Sequence, residues 1–325
     1  MEVSVSTGAP DVRKSKVMLA RLSVSSWSAK RFDDRATDEV ASNHQAVGEM
    51  KKDIGRFNKR LILKGAKEYE DLGRIESRAR AAFHESTLSY DGDGIRLMPV
   101  RSYMDYVAHY HAYKDRYSEA LETFLTAYPT LKEEARRALN GLFVDADYPS
   151  VDVLRSRYAM KLDVWPFPEA SHFSVDCLSP DAAEAIRDQI EEAQMAAFAR
   201  SKDEVRTRLL EVVSHMAQRL IAAADGGRLH DSVLENVKET IAILPKLNFL
   251  EDPQITKAID YARERLSSFA TDSLRTNRSM CIPAAQAAQD VQRVISQEFG
   301  MDLSQFVNPD LHAARNAGNT MGMFA

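Results

Sequence analysis

The sequence predicts a mainly α protein: an elongated helical bundle or antiparallel coiled coil with a small β element. Three observations lead there. Six of the eleven tyrosines fall between residues 103 and 128, and Tyr103, Tyr106, Tyr110, Tyr113 and Tyr117 recur at spacings of three and four, the period of one helical face. A second stretch opens on Ser179-Pro180-Asp181 and keeps an apolar face through Ile186, Ile190, Ala193, Ala197, Val205, Leu209, Val212, Met216 and Leu220, until Asp225-Gly226-Gly227 stops it. Alternating apolar patterns are few and short, so the β content is small.

Taken in order, residues 1–15 are polar, contain Gly8 and Pro10, and read as a flexible leader. Val17, Leu19, Leu22 and Val24 alternate imperfectly and predict one strand over Lys16–Ser25. Val40, His44, Val47, Ile54, Phe57 and Leu61 predict a looser helix. Gly48 and Gly55 weaken it by about 1 kcal/mol each relative to alanine. Tyr69, Leu72, Ile75, Ala79, Ala82 and Phe83 predict a firmer one. After the turn Tyr90-Asp91-Gly92-Asp93-Gly94, residues Ile95, Leu97 and Val100 form a short strand ahead of the tyrosine helix.

The tyrosine helix is expected over about Arg101–Ala127, with Pro129 interrupting it. A separate helical segment carries Leu131, Ala135, Ala138, Leu139 and Leu142, and Asp145 to Ser150 closes it. Val151–Tyr158 adds a turn or two, and Tyr158–Phe167 alternates as a strand that runs into Trp165-Pro166-Phe167-Pro168. Since neither strand is stable alone, this one is expected to pair with Lys16–Ser25. Ser179 caps the next helix and Pro180 suits its first position. That helix, 180–224, should lie antiparallel to the tyrosine helix as a spine. Shorter helices follow: one with Val233, Val237, Ile241 and Leu244, one opened by Asp252-Pro253, and one from Pro283 to Glu298 stopped by Gly300. The domain reading is a leader (1–15), an N-terminal strand and helical region (16–100), a long-helix core with a strand-containing connector (101–227), a C-terminal helical region (228–315) and a flexible tail (316–325).

Composition narrows the function classes. The net charge of -5 argues against a globally basic nucleic-acid coat. Only Cys177 and Cys281 are present, which speaks against a disulfide framework and for a reducing, cytoplasmic setting. No apolar run approaches the length of a membrane span, so membrane insertion is not expected.

Local chemistry motifs are missing: there is no phosphate-binding loop, dinucleotide fingerprint, zinc-protease helix or nucleophile elbow. No catalytic residue, cofactor or metal ligand is therefore assigned. His109 and His111 stand two apart, so one helix cannot aim both at a single ion. Cys177 near His172 lacks zinc-site spacing. Asp91 and Asp93 open a calcium-like loop whose twelfth position holds Ser102 instead of an acid.

Two surfaces remain. Tyr106, Tyr110, Tyr113 and Tyr117 are the packing anchors and the candidate protein interface, since tyrosine buries a broad ring while keeping its hydroxyl wet. Asp105, Asp115 and Glu119 offset the nearby bases and count against base stacking there. Between Lys51 and Arg80, ten basic residues face five acidic ones. Lys51, Lys52, Arg56, Lys59, Arg60, Lys64 and Lys67 are the candidate nucleic-acid contacts, and a solvated helix face is the plainer explanation.

The segments Val24-Ser25-Ser26-Trp27 with Ala29-Lys30-Arg31-Phe32, Leu142-Phe143 to Asp147-Tyr148-Pro149-Ser150, and Trp165-Pro166-Phe167-Pro168 together resemble an uncharacterised phage- and plasmid-associated family of unknown function. The resemblance spans roughly residues 16–225. It implies gene neighbourhoods that include MoxR-like ATPases and von Willebrand A-like proteins, and it carries over no catalytic residues. The expected function is that of a phage-related structural or assembly protein, working through self-association or through another phage or host protein. The alternatives are a single-stranded nucleic-acid-binding protein and an adaptor for a MoxR-like ATPase. The expected location is the cytoplasm, that of the host if the chain is phage-encoded, or the virion.

Overall fold

A computed structural model of the chain describes residues 16–44, 55–91, 94–170, 173, 178–227, 229, 232–269, 274 and 277–306. The expected leader and tail lie outside these residues, as do Lys51, Lys52, His172 and Cys177. The protein is predominantly helical with a small antiparallel β element. Its strands are β1 (Val17–Ser25), β2 (Lys30–Phe32), β3 (Asn58–Arg60), β4 (Leu88–Ser89), β5 (Arg96–Pro99) and β6 (Ala159–Pro166). Its helices are α1 (Asp34–Asn43), α2 (Lys67–Glu85), α3 (Val100–Leu139), α4 (Val151–Arg157), α5 (Pro180–Ala224), α6 (Ser232–Leu247), α7 (Pro253–Leu266) and, in our numbering, α8 (Cys281–Phe299).

One sheet has the order β4-β5-β1-β6, which includes the expected pairing of β1 with β6. On its other edge β1 runs antiparallel to β5, with Val17 opposite Pro99 and Ala20 opposite Arg96. A separate two-stranded ribbon joins β2 to β3.

The chain divides into two units. One holds Arg21–His84 and Asp105–Asp163 and is here called the tyrosine unit; the other holds Met1–Ala20, Glu85–Met104 and Val164–Ala325 and is called the long-helix unit. The division follows packing instead of chain order, so the sequence blocks 16–100 and 101–227 each contribute to both.

In the tyrosine unit, α3 buries Tyr106, Tyr110, Tyr117, Leu121, Phe124 and Tyr128, while Tyr113 stays half-buried. Phe124 sits at the centre of the cluster, with ring centroids 5.6 Å from Tyr69, 5.8 Å from Tyr128 and 6.0 Å from Tyr158. The hydroxyls are placed as the stripe demands. Tyr110 donates to the Met160 carbonyl at 3.4 Å and accepts from the Leu162 N–H at 3.2 Å, which ties the helix to β6. Tyr117 donates to the Ser25 carbonyl at 3.1 Å and Tyr128 to that of Pro149, also at 3.1 Å. Burial raises the phenol pKa values of Tyr106 and Tyr117, and pushes that of Tyr128 up to about 12.

Tyr106 is the exception, because its buried hydroxyl finds no partner. An unsatisfied buried polar atom costs about 1–3 kcal/mol. Tyr106→Phe is therefore expected to stabilise the protein by about 1 kcal/mol, whereas Tyr110→Phe destabilises it. Urea midpoints of both variants check this, and a loss of stability in Tyr106→Phe contradicts it.

The structure corrects two expectations. Pro129 lies inside α3 without ending it. Its ring is exposed, and buried Leu125, Tyr128, Leu131 and Ala135 on either side keep the helix on its core. The loose helix expected over residues 40–61 lies partly outside the described residues, at 45–54; its start belongs to α1, opened six residues earlier by the Asp33 cap on the Ala36 N–H at 3.0 Å, and its end is β3, held extended by its partner strand. The tyrosine stripe is filled from its own unit, and α5 packs chiefly on α8, α6 and β4.

The long-helix unit has its own core. Leu209, Leu210, Val213, Met216 and Leu220 of α5 meet Ile241, Leu244, Ile259, Val291 and Ile295, and Val17, Leu88 and Leu97 from the sheet join them. The expected caps are observed: Ser179 accepts from the Ala182 N–H at 3.2 Å, and Gly300 ends α8 at φ 63°, a conformation that favours glycine. Glu204 ties α5 to the sheet, accepting from the Ser89 N–H, Arg96 and Arg208 at 2.6–2.9 Å. Burial alone would raise its pKa, but these donors hold it below the ordinary value.

Candidate anion-binding site

The ribbon β2–β3 begins where β1 ends, after the loop Ser26-Trp27-Ser28-Ala29. Tyr69 pins this loop: its hydroxyl donates to the Trp27 carbonyl at 3.3 Å and accepts from the Ala29 N–H at 3.2 Å. The Trp27 ring is buried edge-on against Tyr128 at 6.0 Å. Backbone bonds at both ends, Leu61 to Ala29 at 2.8 Å and Asp33 to Phe57 at 3.0 Å, lock the ribbon register.

That register sorts the side chains. Lys30 stands opposite Arg60, Arg31 opposite Lys59 and Phe32 opposite Asn58. Successive residues of a strand point to opposite faces, so Lys30, Phe32, Asn58 and Arg60 share one face and Arg31 and Lys59 the other. The first face is exposed.

On the second face Lys59 is buried, with 3% of its side chain exposed. Its ammonium meets Asp33 at 2.8 Å, Asp147 at 2.9 Å and the Leu142 carbonyl at 2.8 Å, one acceptor for each of its three protons. Burial pushes the Lys59 pKa down, but the hydrogen bonds and ion pairs with the two carboxylates outweigh it and leave the pKa above 10.5. The Lys59 hydrogen bond and the Ala36 N–H hold the Asp33 carboxyl below 3.8. Arg31 reaches Asp147 from the other side at 3.5 Å.

Two adjoining cavities open beside this network. One, of about 560 Å³, is lined by Ser26, Trp27, Lys30, Arg31, Asp147 and Arg157 among others. Its neighbour, of about 330 Å³, shares Ser26, Trp27, Ser28 and Lys30 and adds Arg60. Lys30, Arg60 and Arg157 have no carboxylate within ion-pair distance among the described residues. Placing Lys30 directly across from Arg60 costs stability, because like charges opposite each other in a ribbon repel. Exposed Phe32 shares their face, and the Arg56 guanidinium lies 5.7 Å over its ring.

The sequence candidates therefore separate. Arg60 lies in the site and Arg56 borders it. Lys59 is a correction: it is spent on Asp33 and Asp147 and has no proton left for a phosphate. Lys64 and Lys67 are exposed but line neither cavity. Lys51 and Lys52 lie outside the described residues. Sequence reasoning missed Lys30, Arg31 and Arg157 as ligands, because they come from other segments than the basic run. Two of the three segments quoted above for the resemblance, 24–32 and 142–150, line this cavity, and Arg157 lies outside both. The third belongs to the long-helix unit, where Phe167 stacks on Phe198 at 5.3 Å.

Of the tyrosine anchors, Tyr106, Tyr110 and Tyr117 are consumed inside their own unit and offer no outer surface. His109 and His111 are exposed on α3, and among the described residues no group of three His, Cys, Asp or Glu could hold a metal ion. No described helix is long and apolar enough to cross a membrane. Compared with known proteins, the chain matches no family model, no curated sequence and no solved structure.

Proposed function

We propose that the chain works by association and that the partner held at the β2–β3 ribbon is single-stranded nucleic acid. The observation that carries this is the gathering of Lys30, Arg60 and Arg157, drawn from three separated segments and all without carboxylate partners, around adjoining cavities. A chain with a net charge of -5 has acids to spare, yet among the described residues the one carboxylate lining these cavities, Asp147, is already held by Lys59 and Arg31. Such a patch attracts a polyanion, and the exposed Phe32 ring on the same face suits unpaired bases, which stack on aromatic faces. The resemblance to phage- and plasmid-borne proteins is in keeping with a nucleic-acid-handling assembly. Self-association along the tyrosine seam loses its main support, since that seam is filled within the chain.

The test is binding of a fluorescent oligothymidylate of about 15 nucleotides across a salt series. Each phosphate contact adds about 0.7 to the slope of log affinity against log salt. The double variant Lys30→Ala/Arg60→Ala is expected to weaken binding at low salt and to lower that slope by about 1.4. If wild-type protein fails to bind at low salt, or the double variant keeps the full slope, the ribbon is a solvated face and the proposal is wrong.

A further inference from the structure

The larger of the two cavities has a chemistry of its own. Its basic lining comes from two directions, with Lys30 and Arg31 on β2 and Arg157 at the end of α4. Hydroxyls lie between them: Ser25 at the end of β1 and Ser26 and Ser28 from the loop after it, while that of Ser156 on α4 donates to the Val153 carbonyl at 2.8 Å. Ser26 and Ser28 are exposed on the pinned loop, so their hydroxyls are open to a ligand. Asp147 also reaches the cavity and on its own would repel an anion. Its charge is met at 2.9 Å by buried Lys59 and at 3.5 Å by exposed Arg31, which removes that obstacle.

From this geometry we infer that the cavity beneath Trp27 is a socket for a terminal phosphate monoester, and that the chain therefore holds single strands by their phosphorylated ends. The inference rests on the nucleic-acid reading of the adjoining ribbon and says which part of the strand is recognised. A phosphodiester inside a strand carries one charge and two free oxygens and must let the chain leave on both sides. A terminal phosphate carries close to two charges and three acceptor oxygens, and it enters a recess head first. Two unpaired cations, a third shared with Asp147, and the serine hydroxyls match that demand. Arg157 supplies a planar fork of donors suited to phosphate. Lys30 and Arg60 in the adjoining cavity take the following phosphates.

The experiment compares oligothymidylates that differ only at their ends: 5′-phosphate, 3′-phosphate, and hydroxyl at both. A terminal phosphate at one of the two ends is expected to tighten binding by about tenfold or more, and the arm that shows it identifies which end. Arg157→Ala should abolish that preference, so that phosphate-ended and hydroxyl-ended strands bind alike, whereas Lys64→Ala, exposed and outside both cavities, should keep it. Ser26→Ala should reduce it in part. Equal binding of all three strands overturns the socket and leaves the ribbon reading standing. If no strand binds, the ribbon reading fails, and the socket is then decided by titrating inorganic phosphate and thymidine monophosphate against Trp27 fluorescence in a Trp165→Phe background. A saturable change lost in Arg157→Ala retains the socket, and no change overturns it as well.

Discussion

Lys59→Met is expected to destabilise the tyrosine unit by about 3–5 kcal/mol, the usual cost of removing one member of a buried, hydrogen-bonded charge cluster. The loss is larger than the ion pairs themselves contribute, because Asp33 and Asp147 are left facing each other's environment without their shared proton donor. Adding Asp33→Asn and Asp147→Asn should recover part of it, since the uncompensated charges, more than the missing contacts, set the cost. Denaturant unfolding of the single and triple variants measures both. If Lys59→Met costs no more than an exposed substitution, the cluster is not the anchor described above.

The same cluster fixes a pH response. The carboxyl of Asp33 is depressed below 3.8, so its contribution is complete above that value and is lost as pH falls through the folded-state pKa. Lys59 is raised above 10.5, so its contribution is complete below that value and is lost as pH rises through the folded-state pKa. The stability gap between wild type and Lys59→Met should therefore be flat across the neutral range and narrow in strong alkali. A gap that persists unchanged well above pH 10.5 contradicts the assignment.

Phe124→Ala carries the other large effect, a loss of about 3–5 kcal/mol. Phe124 is fully buried and packs on three aromatic rings at once. Truncation opens a cavity that Tyr69, Tyr128 and Tyr158 cannot close, because the Tyr69 and Tyr128 hydroxyls are tethered to the backbone at Trp27 and Pro149. Phe124→Leu should cost clearly less. Both are read from urea unfolding, and equal losses for the two would mean that ring packing is not what Phe124 supplies.

Helices with strong periodicity and explicit caps were legible in the sequence. The Ser179-Pro180 start, the Asp252-Pro253 start and the Gly300 stop all follow from local chemistry that tertiary contacts do not override. The pairing of β1 with β6 was legible because two lone strands need each other. The ribbon was not. Asn58-Lys59-Arg60 has poor strand propensity, and it is extended only because Lys30–Phe32 lies alongside and two distant acids take up the central lysine. Pro129 misled for the converse reason: a rule about helix interiors yields where the ring can face water and the flanking apolar residues hold the helix in place.

The candidate site shows the same limit. The run of basic residues in sequence contains Arg60, which lines the candidate site, but not Lys30, Arg31 or Arg157. Which lysine is spent on carboxylates and which is left for a ligand depends on strand alternation and on Asp147, more than eighty residues from Lys59. Arg157 was unreadable as a ligand because nothing in its own segment distinguishes it from any cation ending a short helix.

The order in which the two units can form during synthesis follows from how the chain is divided between them. All of the tyrosine unit has been made once Asp163 leaves the ribosome, whereas the core that receives Val17, Leu88 and Leu97 depends on α5 to α8. At about 5–20 residues per second, those helices arrive on the order of ten seconds later. Until then the nascent chain holds apolar strands with nothing to cover them, a state open to aggregation or to capture by chaperones. Products that stop before α8 should accordingly be insoluble even though the tyrosine unit's share of the chain is complete in them.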